Sequence, residues 1–313
     1  MSTTLLSVVI CTHHRGGESL GRCLEALRQQ TLPCNDWDLL VIDNNSPIPV
    51  PAEWLQWHPR ARLLAESEPG LNAARRRALS EVQADLVLFV DDDNLLDADY
   101  LQQVLSLAQR HPNLGAFGGW ATAVYEREPE PHLRARADAV ALNHRLQSER
   151  WGNGHVMECL PFGAGMVIRR EVARYHLKRL ESDPRLRGFG RSGELNLFCE
   201  DTDLAWCAVD LGLGCGRFPA LHFRHLIPAS RVERGYLLKV AEGWAFSWLM
   251  LHRVRGLDHP ELQPLRGWWH WLRQARRWLA LSASEREFEA AHRRGLNRAR
   301  SLPLESLAPA SKA

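Results

Sequence analysis

A chain of 313 residues with 45% hydrophobic and 24% charged side chains has the composition of a folded globular protein, sized for one large domain or two modest ones. Its 39 Lys and Arg against 37 Asp and Glu leave a net charge of +2, too balanced to name a partner, although residues 253–300 gather eleven Arg, no Lys and five acids. No stretch reaches the length of a membrane span, and residues 5–11 are too short and lack the basic flank of a signal peptide; the seven scattered cysteines form no C-x-x-C pair. A cytoplasmic protein with buried, reduced thiols is expected.

Residues 6–11 (Leu-Ser-Val-Val-Ile-Cys) predict a buried strand, followed by a polar loop over 12–17. Leu20, Cys23, Leu24 and Leu27 recur at three- and four-residue spacing and predict a helix. Residues 39–42 predict a second strand ending at Asp43, and 62–66 a third; a helix over 70–82 leads to a fourth strand over 85–90. Strands that end in polar residues and alternate with helices point to a parallel α/β sheet. Its carboxyl edge, where open sheets of this kind bind ligands, is lined by Thr12, Arg15, Asp43 and Asp91 to Asp93.

The next helix is expected to start near Asp97. Strands are expected over 115–124 and 162–169, separated by a polar, proline-containing stretch (126–150) read as a mobile or partner-facing excursion. A helix over 200–211 stops at Gly212, and strand-like pieces follow over 213–225. Helical segments over roughly 231–255, 261–281 and 284–301 and a loose tail over 302–313 complete the chain. The expected division is an α/β domain over 1–230, a helical region over 231–301 and a flexible tail over 302–313.

The run Phe89-Val90-Asp91-Asp92-Asp93-Asn94 is the most informative segment. Three adjacent carboxylates repel one another, so either a divalent cation with a phosphorylated ligand gives them a purpose or they form an acidic turn ahead of a helix. Glu200-Asp201-Thr202-Asp203 follows about a hundred residues later and opens a helix.

These segments, together with Cys11-Thr12, Val41-Ile42-Asp43-Asn44-Asn45-Ser46 and Pro69-Gly70-Leu71-Asn72-Ala73-Ala74-Arg75, occur in an order and spacing that resembles the family 2 glycosyltransferases. The resemblance covers roughly residues 6–230. It implies an α/β fold of the GT-A type, a mixed and mostly parallel sheet flanked by helices, here with a C-terminal helical appendage. It also implies inverting transfer from a UDP- or GDP-linked sugar with Mn²⁺ or Mg²⁺ as cofactor.

Residue by residue, Asp43 suits the N–H of a pyrimidine or guanine ring, the contact the resemblance implies, or else an Asx-turn with its neighbours. Arg75 holds the arginine position of the family's Gly-x-x-x-Ala-Arg pattern and is assigned to the nucleotide, the alternative being a solvated side chain beside Arg76 and Arg77. Arg76 departs from the Asn common there. Thr12, Arg15 and Asp92 complete the nucleotide edge, with Asp91 on the ribose or a metal-bound water and Asp93 on the metal. Asp201 takes the general-base role the resemblance implies, supported by Glu200; stabilisation of a helix N-terminus is the plainer account of both acids. His225 is either a hydrogen-bonded core residue or, by resemblance, a further metal ligand, and Arg231 a phosphate contact. Gly163 and Gly165 either let a sugar approach the backbone or begin a tight strand.

Over 266–281, Trp268, Trp271, Leu272, Ala275, Trp278 and Leu279 share one helical face opposite Arg266, His270, Arg273, Arg276 and Arg277. That segregation suits an anionic membrane surface, or equally packing onto the domain or a homodimer interface. The expected partners are therefore a nucleoside diphosphate sugar and a glycan or lipid-linked acceptor in bacterial surface polysaccharide synthesis, with no nucleic acid. A nucleotidyltransferase would need a Gly-rich, Lys-bearing loop that 13–17 does not supply. A non-catalytic nucleotide-sugar-binding or scaffold protein remains the alternative of another class.

Overall fold

The computed structural model describes residues 5–14, 16–190, 198–262, 276, 278 and 280–307. Arg15 and most of the amphipathic segment expected over 266–281 lie outside the described residues.

β1 (Leu6–Thr12), β2 (Trp37–Asn44), β3 (Ala61–Glu66) and β4 (Leu86–Asp91) pair in parallel, in the spatial order β3-β2-β1-β4. The sheet then continues through β8 (Val167–Arg169), β6 (Leu114–Tyr125), β9 (Gly214–Ile227) and β5 (Asn94–Leu96), with β7 (Arg150–Gly152) also on β9. β6 and β9 run parallel, whereas β8 is antiparallel to both neighbours and β5 is antiparallel to β9. The result is a mixed sheet flanked by helices.

The continuous apolar runs of β1 and β4 reflect burial on both faces. Alternate residues point to opposite sides, so Val8 and Ile10 join one core while Val9 joins the other. The first core packs under α1 (Ser19–Arg28) and α3 (Tyr100–Arg110). The second lies against α2 (Leu71–Glu81), α5 (Arg170–Ser182), α6 (Glu200–Asp210), α7 (Arg234–Arg255) and α8 (Ala283–Ser301). Ala245, Phe246, Leu249, Met250, Leu296 and Ala299 belong to this core together with Val9 and Phe89, so the C-terminal helices are continuous with the sheet's own interior.

Several expectations are corrected. The polar stretch 126–150 contains α4 (Arg134–Val140), and Leu133, Ala137 and Ala141 are buried against Ile227, Val232, Leu237 and Phe288. Its few apolar residues fall on one side, which a polar average conceals. The strand expected over 162–169 is a loop as far as Met166, and a helix unforeseen in the sequence, α5, follows it. The helix expected near Asp97 starts at Tyr100, after a turn in which the Tyr100 N–H donates to the Asp97 carbonyl at 3.0 Å, and the Asp97 side chain meets His222 Nδ1 at 2.7 Å. Within the expected loose tail, Leu304–Leu307 forms a short turn and Leu307 is buried.

Candidate active site

The ends of β2, β1 and β4 stand side by side, Thr12 opposite Asp43 and Cys11 opposite Asp91. After Asp91 the chain turns sharply: the Asn94 side chain accepts from the Asp91 N–H at 3.2 Å, and β5 begins at once. Pairing of β5 with β9 sets Asn94 opposite His225, and the Leu226 N–H donates to the Asp93 carbonyl at 2.8 Å. This antiparallel register brings His225 to the acidic triplet.

The three acids then separate in role. Asp92 points inward and accepts a hydrogen bond from the Thr12 hydroxyl. Burial, reinforced by the charges of Asp93 and Asp91, pushes its carboxyl up to about 6 against that bond. Asp93 lies between two basic side chains, with Oδ2 accepting from Arg231 Nη1 at 2.9 Å and Oδ1 3.4 Å from His225 Nε2. Burial opposes its charge, but His225 and Arg231 outweigh that cost and hold its carboxyl below the ordinary value. Asp91 is the most open, with a side chain 38% exposed and Oδ1 3.9 Å from Arg75 Nη2.

His225 tests whether a cation suits this corner. Its Nδ1 lies 3.0 Å from the Ala141 carbonyl, a bond that requires the proton on Nδ1. Nε2 of the neutral ring is then a lone pair aimed at a carboxylate, and only a positive charge reconciles the two. In the protein alone burial disfavours a second proton on the ring, yet Asp93 favours it and raises the pKa. A divalent ion meets the same need, because a carbonyl-oriented imidazole beside a carboxylate suits Mn²⁺, and substrate phosphates complete such sites. Asp93 and His225 therefore fit a metal.

The second half of the site is the start of α6. Cys199 precedes it in the left-handed region (φ 71°), a strained conformation for a side-chain-bearing residue. Asp201 is held from both sides: Oδ2 accepts from the Gly163 N–H and Oδ1 from the Thr202 N–H, each at 2.8 Å. Glu200 accepts from Arg75 Nη1 at 3.2 Å. Arg75 is thus enclosed and far from the solvated side chain that its basic neighbours suggested.

Asp43 closes the loop after β2, accepting from the Ser46 N–H at 3.2 Å and the Val50 N–H at 3.1 Å. The glycines are dictated by close protein contacts. A Cβ on Gly163 would lie 2.8 Å from both Arg75 Nη2 and Asp201 Oδ2, and one on Gly165 (φ +71°) 2.6 Å from the Tyr100 hydroxyl. Asn44, Phe89 and Asn94 stand inside the sequence motifs, yet their roles become visible only in the contacts they make. Asn44 ties the end of β2 to the Glu66 and Glu68 carbonyls and the Gly70 N–H, and Phe89 lies 5.3 Å beneath the Arg75 guanidinium.

Among the described residues, three ligand-type side chains also converge at His176, Asp203 and Cys207. That cluster is closed by the protein itself: Arg255 bonds Asp203 from Nε at 2.6 Å and reaches Cys207 Sγ from Nη2 at 3.6 Å, and the Asp203 and Arg255 side chains are each only 3% exposed, so its donors are already paired and shut away from any substrate.

Comparison with known proteins completes the description. The family described as "Glycosyl transferase family 2" matches residues 7–177. AmsE of Erwinia amylovora, named an amylovoran biosynthesis glycosyltransferase, is 25% identical over 179 residues, covering 55% of this chain and 65% of its own. EpsH of Bacillus subtilis (strain 168) is 23% identical over 111 residues, 34% of this chain. The chain spans only 31% of EpsH and 65% of AmsE. Among solved structures, the mannosyltransferase PcManGT from Pyrobaculum calidifontis, in complex with GDP-Man and Mn²⁺, superposes with a TM-score of 0.56 at 19% identity, covering 98% of this chain and 79% of that one. TarS from S. aureus (residues 1–349) gives 0.52 at 14% identity, covering 96% and 90%. At these identities the likeness establishes the fold, which is of the GT-A type.

Proposed function

The chain belongs to glycosyl transferase family 2, and from that premise we propose that it transfers a sugar, with inversion, from a nucleoside diphosphate donor to a hydroxyl of a glycan or lipid-linked acceptor. The observation that carries this function is the meeting, at one sheet edge, of Asp91 to Asp93 and His225 with Glu200 and Asp201 from segments over a hundred residues away.

Asp201 takes the proton of the acceptor hydroxyl as its oxygen attacks the anomeric carbon. Its two backbone hydrogen bonds hold the carboxylate in one orientation without consuming all its lone pairs. A single displacement by one carboxylate base inverts the anomeric centre. Asp93 and His225 would hold Mn²⁺ or Mg²⁺, which when bound supplies Lewis-acid neutralisation of the departing diphosphate. Asp43 and the ends of β1 and β4 form the nucleotide edge; a base that uses Asp43 exchanges the turn's N–H groups for its own.

A panel of UDP-, GDP-, CDP- and dTDP-sugars with Mn²⁺, read by thermal shift, identifies the donor, since a ligand of the folded state raises stability. With that donor, Asp201→Asn is expected to bind normally and lose transfer by about 10²–10⁴-fold, the usual worth of a general base. Turnover near wild type would move the base elsewhere. NMR of the product should show the inverted anomer.

Surface polysaccharide synthesis is the setting we assign, supported by the likeness to AmsE, an amylovoran biosynthesis glycosyltransferase. Among the described residues no helix is long and apolar enough to cross a membrane. Contact with an anionic membrane through 266–281 therefore rests on the segregation of Trp and Arg in the sequence. The Trp278 ring itself packs under Arg293 of α8, at 5.4 Å. Co-sedimentation with anionic vesicles that weakens as salt rises checks the membrane contact.

A further inference from the structure

A nucleotide-binding arginine should present an open guanidinium, yet the Arg75 side chain is only 6% exposed. Its Nη1 donates to Glu200, its Nη2 faces Asp91 at 3.9 Å, and its flat face lies over Phe89. Nη2 also occupies the space that a side chain at residue 163 would need. Burial opposes the Arg75 charge, and Glu200 and Asp91 outweigh it.

We propose that Arg75 is the positioning residue that joins the two halves of the active site, fixing Asp201 relative to the donor edge, and that it is not a nucleotide contact. The proposal rests on the transferase function above and on Asp201 as its base. Asp91 ends β4 on the donor edge, and Glu200 opens α6 on the base side. Brought together alone, these two acids would repel. A guanidinium between them bonds Glu200 through Nη1 at 3.2 Å and offsets the charge of Asp91 through Nη2 at 3.9 Å, two directions held by one rigid planar group as a flexible ammonium cannot hold them.

Glu200 and Asp201 are consecutive on one helical turn, so the Arg75–Glu200 pair also sets the rotation of that turn. Gly163 closes the arrangement: its N–H orients Asp201, and its missing side chain admits Arg75. A displacement of the base by about 1 Å costs on the order of 10²-fold in rate. Donor affinity, which depends on the open edge of β1, β2 and β4, is not set by this enclosed contact.

The test separates turnover from donor affinity in Arg75→Met, Arg75→Lys and Glu200→Gln. Calorimetry with UDP and GDP in the presence of Mn²⁺ gives affinity. Steady-state release of nucleoside diphosphate from the donor found in the panel, with water as acceptor, gives kcat and KM. Arg75→Met is expected to retain nucleotide affinity within about threefold while kcat falls by about 10²-fold, with Arg75→Lys intermediate. Glu200→Gln keeps the shape of the pair, loses its charge, and should repeat the fall in kcat even if Arg75→Met does not fold.

A tenfold or greater loss of nucleotide affinity with kcat near wild type makes Arg75 a nucleotide contact and overturns the proposal. Unchanged kcat in both Arg75→Lys and Glu200→Gln also overturns it. Wild-type protein that binds none of the nucleoside diphosphates or their sugars in the presence of Mn²⁺ overturns the transferase function itself, an outcome distinct from either.

Discussion

Asp93 is buried, negatively charged and flanked by two basic groups, and each condition depends on the others. Without His225 and Arg231 its carboxyl would take up a proton to escape the cost of burial. Asp93→Ala should abolish metal-dependent binding of nucleoside diphosphate while leaving the fold intact. Calorimetry with and without Mn²⁺ checks this, and equal affinities under the two conditions would remove Asp93 from the metal site. The acids of the triplet were legible because they adjoin one another at the end of an apolar run. Their partners are not legible from local pattern: only the family resemblance sets His225 beside Asp93, a contact made through the β5–β9 register, and Arg75 meets Glu200 across 125 positions of sequence. Local pattern shows which residues can carry charge, and tertiary pairing decides which of them are open to ligand.

Elements buried on both faces were the most legible, since β1, β2 and β4 announce themselves as unbroken apolar runs. The segment 162–166 was misread because apolar and small residues suit a strand as well as a tight loop, and only the approach of α6 distinguishes them. Gly163→Ala tests that approach. The added carbon would fall 2.8 Å from Arg75 Nη2 and Asp201 Oδ2 and 2.9 Å from Asp201 Cβ, closer than such contacts allow. Something must shift, and both candidates belong to the proposed site. The expected result is a loss of about 1–3 kcal/mol in stability, typical of overpacking, with a fall in kcat of at least about tenfold. Thermal unfolding and steady-state kinetics measure the two effects, and a variant like wild type in both would show that the loop yields freely.

At the scale of the whole molecule, the C-terminal helices hold α6 in place. Arg255, at the end of α7, bonds Asp203 at 2.6 Å and Asp210 at 3.0 Å, so it spans α6 just beyond Asp201. His176 lies 3.4 Å from Asp203 on the other side. The sequence shows a basic C-terminal region but not that one of its arginines is buried on α6, because that contact joins positions 52 residues apart. Burial opposes the charge of Asp203, while His176 and Arg255 outweigh it and hold its pKa well below the ordinary value. A carboxyl depressed in the folded state contributes stability that is fully present above its unfolded pKa of about 3.9 and is lost as pH falls through the lower folded value. Asp203→Asn removes that titration along with the charge. It should lower stability near neutral pH by about 3–5 kcal/mol, the cost of breaking a buried pair, even though Asp210 still faces Arg255. Measured by denaturant titration from pH 7 to pH 2, the gap between wild type and variant should hold constant down to about pH 4 and then close, because the wild type alone gives up the Asp203 contribution. A gap that stays constant to the acid end would mean that Asp203 is not depressed and that apolar packing, rather than this ion pair, fastens α7 to α6.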